Sequence, residues 1–354
     1  MERKPVFVFL AGHACIRCDK VAIPLIEQGY EVHLISKRKP EWAKYYTTWV
    51  QANDMNQLLN AVDVYKNVAD IFYAHNEPNW FVTIVKERTD KPVILDVHDS
   101  MLARWTPEED DEIKKTGKNS ARITTQERNN FQLADGLVFP TWSFRDLVTS
   151  EFGLSQPNMV LPSYLPKRMN CYDGKEWLGG LVYEGRIDLR EEIEKDTVNH
   201  GFRYCDYQDL AEQAHAMNMD FHIYSRMDKE FLKVYEKIAF THVPQVWGEL
   251  LNCVSRHDWG LVGNSFWTNE WDVALPNKLF EYMGAGIPPV VINSTESANF
   301  VKEYDVGLVV DSLQELGDNW KLHTEYRKKM FRVRKQFNME EHIGGLITFC
   351  EGFL

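Results

Sequence analysis

Two series of short, largely apolar runs rich in β-branched residues, each run separated from the next by a helix-like stretch, constrain this chain more than any other feature. VFVFLAG (6–12) reads as a buried strand ending in Gly, and DKVAIPLIEQGYEVHLIS (19–36) as a helix, a stop at Gly29 and a second strand. DIFYAH (70–75), PVILDVH (92–98), GLVFP (136–140) and NMVLPSY (158–164) continue the series. A second series follows in GGLVYEG (179–185), DFHIYS (220–225), HDWGLVG (257–263), IPPVVIN (287–293) and VGLVVD (306–311). Strands alternating with helices imply parallel sheets. At 354 residues the chain is long enough for two such units. The expected architecture is α/β, two Rossmann-like doubly wound domains: residues 1–165 first, then a linker over 166–177 in the proline-containing PSYLPKRMNCYDGKEW, and residues 178–334 second. Residues 335–354 are expected to form a terminal helix crossing back to the first domain.

Composition narrows the class. A chain that is 44% hydrophobic and 26% charged is an ordinary soluble globular protein. Its net charge of −12 counts against sequence-independent nucleic-acid binding, while leaving room for a local basic patch. Six scattered cysteines suit reduced thiols in a cytoplasm better than a disulfide framework. The N-terminal apolar run of about five residues is shorter than a signal-peptide core of roughly 7–15, and no window approaches the ~18 apolar residues of a membrane span. The expectation is a cytoplasmic protein, with peripheral contact to a membrane left open. Cys15-x-x-Cys18 has the spacing of a redox or metal motif, yet no second Cys or His pair of matching spacing follows. It is read as chance placement in a loop, and no metal is expected.

Open parallel sheets bind ligands beyond the carboxyl ends of their strands, which directs attention to AGHACIR, HNEP, HDS and EGRIDLR. In EGRIDLR, Gly185 permits a sharp turn after which Arg186 and Arg190 could fork onto phosphate oxygens; the alternative is ion pairing with the following EEIEKD. In ALPNKLFEYMGAG, Pro276 suits a helix entry. Free N–H groups at that helix start, beside Asn277 and Lys278, make an anion site. Glu281, three residues beyond Lys278, is expected to be an exposed carboxylate able to accept two hydrogen bonds from a vicinal diol such as ribose. Phosphate beside ribose is what a nucleoside diphosphate presents.

PNKLFEYMGAGIPPVV resembles the donor-site motif of GT-B glycosyltransferases, in particular the retaining glycosyltransferase family 4. HACIRCDKVAIPLIEQGYEVHLIS, ILDVHDS, LADGLVFPTWSFRDLVTSEFG and LVYEGRID match further pieces in the same order, over most of the chain. The resemblance implies two domains facing a central cleft, with Glu281 on the ribose and Arg186 on the diphosphate. His98 would contact the donor sugar or the reacting centre, and Gly12 and His13 would approach from the first loop. Asn277, Lys278 and Leu279 at the helix start complete the expected donor-binding set, together with Val246 in the HVPQVWGE loop (242–249), whose backbone groups would read the base. Two positions depart from the family pattern. Glu191 stands where a lysine is usual, so that Arg190 would substitute, and Val273 stands where an acid is common, with Asp272 and Glu270 nearby. His98, Asp99 and Asp272 are the catalytic candidates; an inverting reaction would need a general base, for which His98, His13, Asp19 and Asp99 are available.

The expected function is transfer of a sugar from a nucleotide-diphosphate sugar, with retention, to a saccharide, lipid-linked or nucleic-acid acceptor. No cofactor or metal and no obligate protein partner are implied. KRKPEWAKYYTTW (37–49) interleaves basic and aromatic residues, which suits a membrane headgroup or nucleic-acid contact, or equally a loop with packed aromatics. Alternatives are a GT-B-shaped sugar-nucleotide epimerase and a catalytically silent nucleotide-sugar-binding protein. The lack of a G-x-G-x-x-G after the first strand counts against a nicotinamide dehydrogenase.

Overall fold

The runs of the first series become strands whose central members never meet water on either face. β1 (Val6–His13) pairs in parallel with β2 (Glu31–Arg38) on one side and with β4 (Ile71–His75) on the other. With β3 (Thr48–Gln51), β5 (Val93–Asp96), β6 (Gly136–Phe139) and β7 (Asn158–Val160) they make a seven-stranded sheet of order β3-β2-β1-β4-β5-β6-β7. The second series builds β8 (Leu181–Glu184), β9 (Phe221–Tyr224), β10 (Phe240–His242), β11 (Trp259–Gly263), β12 (Pro289–Ile292) and β13 (Leu308–Val309). Its six strands run β10-β9-β8-β11-β12-β13, again all parallel. In both sheets the winding reverses once, between β1 and β4 and between β8 and β11. A crevice opens beyond the carboxyl ends of the strands at such reversals.

This computed structural model describes residues 3–354 apart from 14, 77–78, 117–122, 172–175, 196, 198, 226–228 and 244. The chain divides into a first unit of residues 1–102, 118–166 and 338–354 and a second of 103–117 and 167–337. Residues 103–117, expected inside a continuous first domain, therefore group with the second, and the second extends to 337 rather than 334. Residues 338–354 group with the first unit.

In the first unit Cys18, Val21, Ala22 and Leu25 recur at helical spacing along Ile16–Glu27 and turn one face onto Phe7, Phe9, Val32 and Leu34 of the sheet. Met339, Ile343, Leu346, Ile347 and Cys350 join the same core. The second core gathers Leu181, Tyr183, Ile223, Trp259, Leu261 and Val290 under Tyr207, Leu210, Ala214 and Leu316. Among the described residues no helix is long and apolar enough to cross a membrane.

The two edge strands β3 and β10 were not among the strand-like runs of the sequence. β3 takes up the end of the basic-aromatic stretch 37–49. Tyr46 there is buried and its hydroxyl donates to Asp19 Oδ1 at 2.9 Å, while Trp49 Nε1 donates to Ser36 Oγ at 2.9 Å. These two aromatics are therefore packed parts of the fold.

Candidate functional site

The carboxyl end of β8 holds the candidate donor site. Gly185 has φ +132°, a conformation that side chains rarely adopt, and a Cβ built there would lie 3.5 Å from Lys278 Nζ. The turn thus brings the backbone close to a lysine from a helix almost a hundred residues later in the chain. Lys278 Nζ sits 4.8 Å from the Tyr183 ring centroid and 5.4 Å from that of Trp271. Arg186 follows directly, its main-chain carbonyl accepting from Tyr183 Oη at 2.7 Å. Its side chain is 53% exposed, and its guanidinium pairs with Asp188 Oδ2 at 2.8 Å and lies 4.2 Å from the Phe202 ring centroid. The two cations share one neighbourhood. Burial pushes the Cys205 thiol up to about 12, and Arg186 and Lys278 both pull it the other way.

The helix Asn277–Ala285 is capped by Pro276 in an extended conformation and stops at Gly286 in the left-handed region. Tyr282 docks it. Its ring fills the space over Gly260 of β11, where a Cβ would come within 2.3 Å, and its hydroxyl accepts from Glu184 N–H at 3.1 Å. Helix and strand end are thereby tied together one residue from Glu281. Glu281 itself is only 2% exposed, which corrects the expectation of an exposed carboxylate. Leu279 is fully buried and its N–H bonds to Pro276 O at 3.1 Å, so its side chain belongs to the core and its amide closes the first turn. Asn277 and Lys278 are half-buried.

Other expected residues are engaged elsewhere. Arg190 Nε bonds Asp206 Oδ2 at 2.7 Å and its Nη2 lies 2.9 Å from Asp209 Oδ1; these partners hold its proton well above the usual range. The ion-pairing alternative thus describes its contacts, with partners other than EEIEKD. Asp272 accepts from Trp267 Nε1 at 2.7 Å and from Thr295 Oγ1. Val273 is buried, and Val246 is exposed at the start of the helix Trp247–Val254.

The first unit gathers a different set at the ends of β1, β4 and β5. Asp96 is fully buried, accepting from Arg17 Nε at 2.7 Å and Tyr73 Oη at 2.8 Å. Burial alone would raise its pKa, but the Arg17 charge and the nearby histidines hold it far below the carboxylate range. His98 Nδ1 is 3.5 Å from Asp96 Oδ1, and its Nε2 is 3.8 Å from Cys15 Sγ and 3.9 Å from Asp99 Oδ2. Burial works against its proton, yet Cys15 and Asp96 carry its pKa well above the ordinary histidine value. Cys15 is lowered chiefly by the contact with Cys18, their sulfurs 3.8 Å apart, while burial opposes the shift. Asn76 Oδ1 accepts from the main-chain N–H groups of His98 and Asp99 and so fixes that turn. His75 is 1% exposed, neither ring nitrogen has a hydrogen-bond partner among the described residues, and burial pushes its pKa down to about 4. Gly12 lies at the end of β1, half-buried; the side chain of His13 lies outside the described residues. Among the described residues, two groups could hold a metal, Cys15–Cys18–His75 and His75–Asp96–His98. Sequence reasoning left His75 out of the site; its one signal was the position of HNEP at a strand's carboxyl end.

Residues 205–342 match the family model of the glucosyltransferase 3-like C-terminal domain. No curated protein matches the chain in sequence. Among solved structures the chain is similar to Anabaena HepE in complex with UDP-glucose (TM-score 0.70, 10% identity, 99% of this chain and 100% of that one). It is also similar to sucrose-phosphate synthase from Thermosynechococcus elongatus (0.67, 12%, 97% and 98%). A third is an alpha-glucosyltransferase in complex with UDP and a 13-mer DNA containing a HMU base (0.66, 13%, 98% and 99%). Identities this low establish a shared fold. The α/β chain with its two parallel sheets has the GT-B fold of glycosyltransferases, and residues 205–342 match a glycosyltransferase-like domain.

Proposed function

We propose that this chain is a nucleotide-sugar-dependent glycosyltransferase whose second unit holds the donor. The observation that carries the reading is the convergence at the end of β8: Arg186 and Lys278 around the Gly185 turn, with Glu281 one turn along the helix that Tyr282 pins to the same strand. A diphosphate would replace Asp188 as the partner of Arg186 and meet Lys278 beside it. Glu281 would accept hydrogen bonds from the ribose hydroxyls. The domain match and the UDP-glucose held by HepE, a fold neighbour, support the same class.

In transfer, the bond from the anomeric carbon to the diphosphate oxygen breaks and a bond to the acceptor oxygen forms. The acceptor's proton leaves with the diphosphate when configuration is retained, the outcome we favour from the family 4 resemblance. The two cations then lower the barrier by stabilising charge that grows on the departing diphosphate, and the rigid docking of the helix keeps them placed for it. Neither cation needs a metal ion for this. On the acceptor side we propose Asp99, 35% exposed, as the group at hand; His98, 14% exposed between Asp96 and Cys15, is better placed to hold position than to exchange protons. The acceptor class stays a saccharide, a lipid-linked sugar or a nucleic acid.

Glu281→Gln tests the reading, since the amide keeps the buried volume and loses the second strong acceptor. Its affinity for the nucleoside diphosphate sugar that stabilises the wild type in a thermal-shift panel of UDP-, GDP-, ADP- and dTDP-sugars should fall by about 1.5–3 kcal/mol. Undiminished affinity in a folded variant would remove Glu281 from the site. No stabilisation of the wild type by any sugar nucleotide would remove the function.

A further inference from the structure

We propose that Cys15, Cys18, His75 and His98 form a four-coordinate zinc site at the carboxyl end of the first sheet. This does not rest on the donor reading. Cys15 caps the helix Ile16–Glu27 and Cys18 lies in its first turn, His75 ends β4, and His98 follows β5 by two residues. The CxxC pair lacked a second pair in the sequence because its partners come from two other strands, brought alongside by the β1-β4-β5 order of the sheet.

Cys15, Cys18 and His75 form one compact ligand group, and His98 joins it through Cys15; side-chain rotation of His98 would close the fourth position. Zn–S bonds of about 2.3 Å and Zn–N bonds of about 2.0–2.1 Å set neighbouring ligand atoms roughly 3.3–3.8 Å apart. The two sulfurs are 3.8 Å apart, and His98 Nε2 is 3.8 Å from Cys15 Sγ. His75 brings a ring nitrogen within 4.8 Å of both sulfurs.

His75 supplies an independent reason to place a ligand here. It is 1% exposed, and among the described residues neither ring nitrogen has a hydrogen-bond partner. A buried polar group without a partner is costly, and a metal bond satisfies it. His98 adds the outer shell. With Nε2 toward Cys15, its Nδ1 faces Asp96 at 3.5 Å, the carboxylate–histidine–metal order that fixes the tautomer of a ligating ring. Asp96 already accepts from Arg17 and Tyr73, so we assign it to the outer shell. Two thiolates would balance the charge of the dication. With every position filled by protein the site is of the closed, structural kind, pinning the start of the first helix to the ends of two strands. It makes His98 a positioning residue.

The test uses the full-length protein, purified under reducing conditions without added metal. As isolated it should carry one equivalent of zinc. After chelation and titration with Co(II) alone, one equivalent should give the near-ultraviolet thiolate charge-transfer band and the intense visible bands of a tetrahedral ion, both abolished by added zinc. Cys18→Ser should weaken the charge-transfer band and lower the Co(II) affinity by at least about tenfold. A folded, reduced wild type showing no stoichiometric metal and no tetrahedral Co(II) spectrum would overturn the proposal. So would an unchanged Co(II) spectrum in the Cys15→Ser/Cys18→Ser double variant, or a Cys15–Cys18 disulfide in metal-free protein freshly isolated under argon. The wild-type spectrum decides the matter even if a variant fails to fold.

Discussion

Gly260 shows how much a single missing side chain can set. Any Cβ there would come within 2.3 Å of the Tyr282 ring, and Tyr282 is the contact that ties the Asn277–Ala285 helix to Glu184. Gly260→Ala should cost about 1–3 kcal/mol in urea denaturation, the usual penalty of overpacking, and should weaken sugar-nucleotide binding as well, because lifting Tyr282 moves Glu281 with it. A variant that lost stability yet bound the donor unchanged would separate the docking from the site. The positions of Gly185 and Arg186 at a strand end and of Lys278 at a helix start were legible in the sequence from turn chemistry and charge. What each side chain touches was not. Arg190 looked like a phosphate ligand, but Asp206 and Asp209, brought back by the intervening turn, bond its guanidinium. Glu281 looked exposed from its polarity, whereas its helix has neighbours on the face that bears it.

At the scale of elements, long apolar runs announced the central strands because burial on both faces leaves nothing else for them to be. The short edge strands β3 and β10 carried no such signal, since one side of each faces solvent and mixed polarity resembles a loop. β10 nevertheless closes a stack of aromatic rings. His222 Nδ1 and His242 Nε2 share a hydrogen bond of 2.9 Å, and the Tyr224 hydroxyl donates to His257 Nε2, whose Nδ1–H donates to Gly179 O. Burial first, and the other histidines next, push His222 down to about 4 and His257 down to about 3; burial lowers His242 too. Asp220 and Arg256 are the charged groups that act on them, with Cys253 acting on Tyr224. A folded pKa below the unfolded value means that the unfolded chain takes up protons first. Stability is therefore complete above the ordinary histidine value and declines as pH falls from about 6.5 toward 4. We expect about 2–4 kcal/mol to be lost between pH 7 and pH 4, read as a falling Tm that is flatter in His222→Asn. A Tm profile of the same slope in that variant would show that the stack does not titrate.

At the scale of the molecule, the two series of runs pointed to two doubly wound parallel sheets without any knowledge of which residues would meet, and the resemblance carried by PNKLFEYMGAGIPPVV added the GT-B architecture. The division of the chain was less legible, because composition does not mark where a segment returns. Residues 103–117 leave the first unit for the second, and residues 338–354 rejoin the first, where Met339, Ile343 and Leu346 are fully buried. Truncation after Phe337 should expose that core and yield a protein whose first unit is digested by protease well before the second. Equal resistance of both units would show that the segment is dispensable.

The same return of the chain has a consequence for how the protein is made. Every strand of both sheets has left the ribosome before residues 338–354 appear, and domains generally fold in the order they are synthesised. Here the order is inverted at the finish. The unit that holds residues 338–354 waits for them, its core open on one face, while the other unit can already close, so the interval of greatest exposure to chaperones and proteases belongs to the unit whose strands were translated earlier.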